Sequence, residues 1–281
     1  MIDKIFIPTL KRVDNQITYD NLPDKLKEKV VFVVQSWERD QYEYPTDYLV
    51  LPDYITPEHP RAISHTRRVI YEEGKTLQYA MIDDDIAFAR RNAKYWTGES
   101  NMEMSKRKAT EDDVTEMFAM FDSWLEEVTF CGPSFVENPP TGKAYQENTS
   151  MSSAYWINGK NFANDLDDMK LTEVKVAEDV VFILSLLTRG YRNRVSQEFC
   201  MLNHSVTGKM DSVVWDDQSR ETVLRDHKVI ESMFPGLFEI LYDRDGSRTD
   251  GGFRNFGKSK IRWSKAFNRP TTSLESFFSG E

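Results

Sequence analysis

Three consecutive acids, Asp83, Asp84 and Asp85, interrupt an otherwise apolar stretch at residues 77–90 (LQYAMIDDDIAFAR). Adjacent carboxylates repel one another, so they are tolerated in water or around a cation. On a strand-like backbone Asp83 and Asp85 point to one side and Asp84 to the other. The same-side pair forms an Asp-x-Asp arrangement whose hard oxygens suit Mg²⁺ or Mn²⁺ shared with phosphate oxygens. Read alone, the triplet suits a solvated acidic turn equally well. A second acidic pair, Glu178-Asp179, opens the apolar run 177–189 (AEDVVFILSLLTR). The dipole at a helix start favours negative charge, and capping explains this pair without further chemistry. The third feature is basic. Residues 244–269 hold Arg244, Arg248, Arg254, Lys258, Lys260, Arg262, Lys265 and Arg269 against Asp245 and Asp250. Within it, residues 251–262 (GGFRNFGKSKIR) interleave aromatics with cations, a composition that contacts phosphates and stacks on bases. Closure over a diphosphate by Lys258 or Lys260 and a solvated tail are the competing uses.

The elements that carry these residues alternate. Residues 4–8 (KIFIP), 30–35 (VVFVVQ) and 48–51 (YLVL) are expected strands. The second is a nearly continuous β-branched run, as in a parallel sheet buried on both faces. Residues 18–29 carry a short helical pattern whose true start Pro23 marks. Residues 60–73 show helical periodicity through Ile63, Thr66, Val69 and Ile70, with Gly74 at the terminus. A strand over 77–82 then delivers the acids to the carboxyl edge of a sheet, where open α/β folds bind ligands. Such alternation predicts βαβ units. Downstream, 93–107 and 133–148 read as long loops. Residues 110–127 read as a helix begun by a capping box of Thr110 with Asp113, with Val114, Met117, Phe118, Phe121 and Leu125 on its buried stripe. Strands are expected over 128–132, 154–158 and within 191–203, and a helix over 216–233, stopped by Pro235-Gly236. No G-x-G-x-x-G follows the first strand and no G-x-x-x-x-G-K-[ST] occurs, which disfavours dinucleotide and P-loop sites.

Composition narrows the classes. The 281 residues suffice for one large or two small domains. At 40% hydrophobic and 29% charged, they describe a soluble globular protein. No apolar run is long enough to span a bilayer, and residues 1–10 lack a basic leader followed by an apolar region, so a cytoplasmic location is expected. Cys131 and Cys200 are isolated and fit a reducing compartment. With four histidines and no CxxC, a structural zinc site is disfavoured. The formal net charge of -10 confines any polyanion contact to the basic stretch. A nuclease or phosphotransferase would want further carboxylates for two metals, and no EF-hand spacing supports a structural Ca²⁺ module.

In chain order, IPTLKR, LVLP, HTRR, MIDDD, AEDVVFILSLLTRGYR and the later His204 resemble the GT-A glycosyltransferase fold, over roughly residues 1–205. In finer detail they resemble the TET-associated glycosyltransferases of phages, a family associated with sugar modification of hydroxymethylated pyrimidines in phage DNA. The resemblance implies an α/β fold, Rossmann-like, with a mostly parallel central sheet flanked by helices. Residues 1–91 would form the nucleotide-binding half and 92–235 the acceptor half of one domain, followed by a basic extension over 236–281. It implies Mn²⁺ or Mg²⁺ held by Asp83, Asp85 and His204, although His204 also reads as an ordinary loop residue. A UDP-sugar or other nucleotide-sugar donor would meet Thr9, Arg12, Gln35, Arg67, Asp84 and Lys258; Arg67 reads equally as a solvated helix residue. Asp179 would be the general base of an inverting transfer, with Glu178 capping the helix or orienting the site. DNA carrying hydroxymethylcytosine would be the acceptor, met by Arg254, Lys260 and Arg262, and no membrane partner is implied. A carbohydrate or protein acceptor suits the same fold.

Overall fold

A computed structural model describes residues 2–92, 106–138, 141–203, 220–242 and 259–267. Strands β1 (Lys4–Pro8), β2 (Val30–Val34), β3 (Asp47–Val50) and β4 (Gln78–Ile82) lie in the order β3-β2-β1-β4, all parallel. The sheet continues from β4 through β9 (Ala154–Asn158), β7 (Phe130–Phe135), β10 (Asn193–Asn203), β5 (Ile86–Arg91) and β6 (Lys106–Lys108). β8 (Tyr145–Glu147) pairs with β10 off this path. The expected parallel sheet therefore holds through the first half. Beyond it the directions mix: β9 runs against β4 and β7, and β5 runs against β10.

The two-residue alternation of the buried strands sorts their side chains onto two faces. Phe6, Val31, Val33, Tyr79, Met81, Tyr155 and Ile157 face one layer, which contains Tyr71 and Phe182 from two covering helices, Ala62–Gly74 and Glu178–Thr188. Ile5, Ile7, Phe32, Val34, Ala80, Ile82 and Trp156 face the other, against the helix Glu111–Trp124. That helix begins at the expected capping box, with Thr110 Oγ1 accepting from Asp113 N and the Asp113 carboxylate accepting from Thr110 N. The pattern over 18–29 resolves into two single turns, Ile17–Asp20 and Asp24–Lys27, the second capped by Pro23.

Two glycines set how the Ala62–Gly74 helix meets the sheet. A Cβ on Gly159 would lie 2.1 Å from Gly74 O, and one on Gly74 would lie 2.3 Å from Tyr79 Cε1. Only bare backbone permits that approach. The contact fixes the helix axis and with it the reach of Arg67, two turns earlier.

Both expected long loops contain strand: β8 and the end of β7 lie inside 133–148, and β6 begins inside 93–107. Beyond Pro235, the described residues fold onto the main body. β11 (Phe238–Ile240) pairs antiparallel with β12 (Ser259–Ile261), and Leu237, Phe238, Ile240 and Ala266 enter the same core as Phe182. Cys131 and Cys200 are buried free thiols, their pKa values raised by burial. No described helix is long and apolar enough to cross a membrane.

Candidate active site

β4 ends at Ile82, and the chain turns through Asp83–Asp85 before β5 begins. The backbone here is a turn, so strand alternation does not decide which way the three side chains face. Thr18 shapes the turn. Its hydroxyl donates to Asp83 O and accepts from Ile86 N at 2.9 Å, while its amide donates to Asp84 O at 3.1 Å. Asp83 N in turn donates to Ser153 O at 2.8 Å, tying the turn to the start of β9.

The three carboxylates divide between two arginines. Arg67 Nη2 lies 3.4 Å from Asp83 Oδ1, and its Nη1 lies 3.3 Å from Glu178 Oε1. Arg12 Nη1 contacts Asp84 Oδ1 and lies 3.5 Å from Asp85 Oδ2. The loop after β1 that carries Arg12 is held from within. Gln16 Nε2 donates to Thr9 Oγ1 and to Arg12 O, both at 2.8 Å. The buried Glu38 carboxylate accepts from Lys11 N at 3.0 Å, where Lys11 has φ 55°. Thr9 and Gln35 are buried at the ends of β1 and β2.

Glu178 and Asp179 are placed from outside their own helix. Arg61 Nη1 donates to Thr172 O at 2.7 Å, Ser64 Oγ donates to Val174 O, and Asp226 Oδ2 accepts from Lys175 N and Val176 N at 2.7 and 3.0 Å. Ala177, the residue before the helix, sits at φ 59° and ψ 33° and gives no side-chain cap. A left-handed alanine costs roughly 1 kcal/mol, and such strain persists where surrounding contacts over-determine it. Asp179 Oδ1 accepts from Val180 N at 2.9 Å.

The electrostatics follow from enclosure. Burial pushes Asp83 up to about 6, with Asp85 and Glu178 adding repulsion and Arg67 and Ser153 opposing it. Its side chain is nonetheless 28% exposed, so solvent reaches this edge of the cluster. Burial pushes Asp84 up to about 7 against the opposing Arg12 and Thr9. Glu178 and Asp179 are both raised, first by burial, with Arg67 holding each down in part. Five carboxylates thus share two guanidinium groups. That deficit of positive charge, with hard oxygen donors at Asp83 and Asp85, fits a divalent cation. As the side chains stand, however, no group of three or more His, Cys, Asp or Glu among the described residues is arranged to hold a metal.

Arg67, Asp83 and the Glu178–Asp179 pair come together, and Thr9, Arg12, Asp84 and Asp85 gather beside them. Gln35 stands at the neighbouring strand end, its carbonyl accepting from Glu38 N at 3.2 Å. His204, Arg254 and Lys258 lie outside the described residues. Lys260 is exposed on β12, and Arg262 Nη2 pairs with Glu239 Oε2 at 3.1 Å. Sequence reasoning missed Thr18, Ser153, Gln16 and Glu38. Thr18, Ser153 and Glu38 are ordinary polar residues far along the chain from what they hold, Gln16 braces its own loop, and no local pattern marks any of them.

Solved structures similar to this chain include a UTP-bound UGPase from Acinetobacter baumannii, at TM-score 0.42 and 9% identity over 84% of this chain and 96% of that one. Another is A197 from STIV, at TM-score 0.35 and 12% identity over 72% and 84%. No protein of curated function matches significantly. The sequence pattern of the TET-Associated Glycosyltransferase family matches residues 3–211, and the chain belongs to that family.

Proposed function

We propose that the chain is a metal-dependent, inverting glycosyltransferase that moves a sugar from a nucleotide-sugar donor to the hydroxyl of hydroxymethylcytosine in DNA. The reading rests on the family match and on one structural observation: Arg67 ties the Asp83–Asp85 turn to the first turn of the Glu178–Thr188 helix, so acids from both gather around one guanidinium. Thr9 and Arg12 would hold the nucleotide with Asp84 near its ribose, and Gln35 would meet the base. Asp83 and Asp85 would hold Mn²⁺ or Mg²⁺, which supplies neutralisation of the leaving diphosphate. Asp179 would accept the proton of the acceptor hydroxyl as the sugar carbon is attacked from the side opposite the diphosphate. Its raised pKa improves it as a base near neutrality. Glu178, paired with Arg67, would hold Asp179 in place.

The experiment is a panel of nucleotide sugars with Mn²⁺, offered to hydroxymethylcytosine DNA, unmodified DNA and simple sugars, and read by mass spectrometry. The expected result is a hexose or pentose mass added to the hydroxymethylated DNA alone, abolished by a chelator and restored by Mn²⁺. Transfer to simple sugars with none to DNA, or transfer unaffected by chelation, overturns the corresponding part of the reading.

A further inference from the structure

A groove of about 1020 Å³ lies apart from the acidic recess, between residues 141–149 and residues 261–265. Its cations are Lys143, Arg262 and Lys265, and its rings are Tyr145 and Trp263. Lys143 and Lys265 are exposed, and no ion pair engages either among the described residues, whereas Arg262 is paired with Glu239 Oε2 outside the groove lining. The one acid in the lining, Glu147, is taken by Arg194 Nη2 at 2.9 Å. In a chain of formal net charge -10, this local basic excess is against the trend. Arg194 also lies 4.3 Å from the centre of the Tyr145 ring, and Trp124 packs edge-on to that ring at 5.5 Å. Tyr145 is thereby braced from behind and still 37% exposed.

Both walls connect to elements that carry or hold the acidic residues. The first continues from Thr149 to Ser153, whose carbonyl holds Asp83 N. Four residues of chain reach no further than about 14 Å. The second wall includes the helix Trp263–Phe267, which packs against the Glu178–Thr188 helix carrying Asp179.

We propose that this groove binds a DNA strand, with Lys143, Arg262 and Lys265 on its phosphates and Tyr145 and Trp263 beside its bases, and so presents the strand to the acidic recess. The proposal rests on the glycosyltransferase reading only for the choice of acceptor. Cations alone would suit any polyanion; flat rings interleaved with them suit one whose repeating units stack. Each phosphate neutralised releases counterions, so binding through this groove weakens as salt rises.

The test is fluorescence anisotropy of a labelled 20-nucleotide single-stranded DNA, with a polyglutamate peptide as a second probe, across a salt series. The proteins are the full chain and its Lys143→Gln/Lys265→Gln double variant. Both lysines are exposed and are none of the residues that would hold the donor or its cation, so the fold and the acidic recess are untouched. Expected are DNA binding by the full chain, at least tenfold weaker binding by the variant, and a logarithmic salt slope shallower by about 1.4. Thermal stabilisation by UDP or GDP with Mn²⁺ should be equal in the two proteins. Unchanged DNA affinity in the variant, no DNA binding by the full chain, or preference for polyglutamate overturns the groove assignment. Loss of DNA binding in the variant, with no sugar transfer by either protein, keeps the groove and removes the transferase reading instead.

Discussion

The Arg67 guanidinium lies 3.3 Å from the Glu178 carboxylate and joins the middle of one helix to the first turn of another. The same guanidinium reaches Asp83, so one side chain holds three elements of the recess in register. Arg67 is buried, and its other neighbours are Tyr155 and Tyr71. A cation so placed is structurally indispensable whatever the site does, because without it the acids face only one another.

Replacing it exposes that dependence. Arg67→Met should destabilise the protein by about 3–5 kcal/mol at pH 7.5, since the remaining carboxylates are left buried and uncompensated. Near pH 5 the loss should shrink, because the carboxylates take up protons once the cation is gone. Urea unfolding at both pH values measures it. An equal loss at the two would show that packing, not charge, is what Arg67 supplies.

Asp179→Asn should separate activity from stability. The amide keeps a carbonyl oxygen for Val180 N–H but cannot take a proton, so turnover should fall by a factor on the order of 10²–10⁴ while donor binding is retained. The Asp179 pKa is raised in the folded chain. Its stabilising contribution is therefore full below the unfolded value and is lost as pH rises through the folded one. The variant should thus melt higher than the parent at pH 7.5, and the gap should close towards pH 4. A variant that melts lower at every pH contradicts this.

Tyr71 offers a quieter probe. Its ring stacks on Phe182 at 4.4 Å, but its buried hydroxyl has no hydrogen-bond partner among the described residues. Tyr71→Phe removes an unsatisfied group without changing the stack, so stability should hold or rise by about 1 kcal/mol. Transfer activity should be unchanged. A loss of activity with stability intact would assign the hydroxyl to the substrate.

Asp113 carries the opposite pH signature. Hydrogen bonds from Arg107 foremost, then from Thr110 N, Arg90 and the Thr110 hydroxyl, hold its carboxyl well below the usual range against the opposing effect of burial. Its contribution is present above the unfolded pKa and lost as pH falls towards the folded one. Asp113→Asn should cost about 1–2 kcal/mol at pH 7, through the lost cap and charge-assisted bonds. The variant should also lose less stability than the parent between pH 5 and pH 2. Parallel acid-unfolding curves would refute the cap as the acid-sensitive group.

Much of this architecture was already present in local sequence. The nearly continuous β-branched run at Val30–Val34 belongs to a strand buried on both faces, and the Thr110/Asp113 capping box and its stripe stand where their spacing places them. These features depend on neighbours within a few residues, which is why periodicity and capping chemistry reveal them. The acids at 83–85 were equally visible, as was the Glu178-Asp179 pair at a helix start. Their shared recess was not.

Alternation assigns facing directions only while the backbone is extended, and here it turns at Asp83. The turn is dictated by Thr18, and the partition of the acids by Arg12 and Arg67, none of them close in sequence. The placing of Glu178 likewise depends on Arg61, Ser64 and Asp226 gripping the preceding loop. The sequence by itself therefore determined which elements form and which chemical groups they carry. Tertiary structure alone decided which of those groups face one another, because hydrogen bonds and ion pairs between distant segments have no period along the chain.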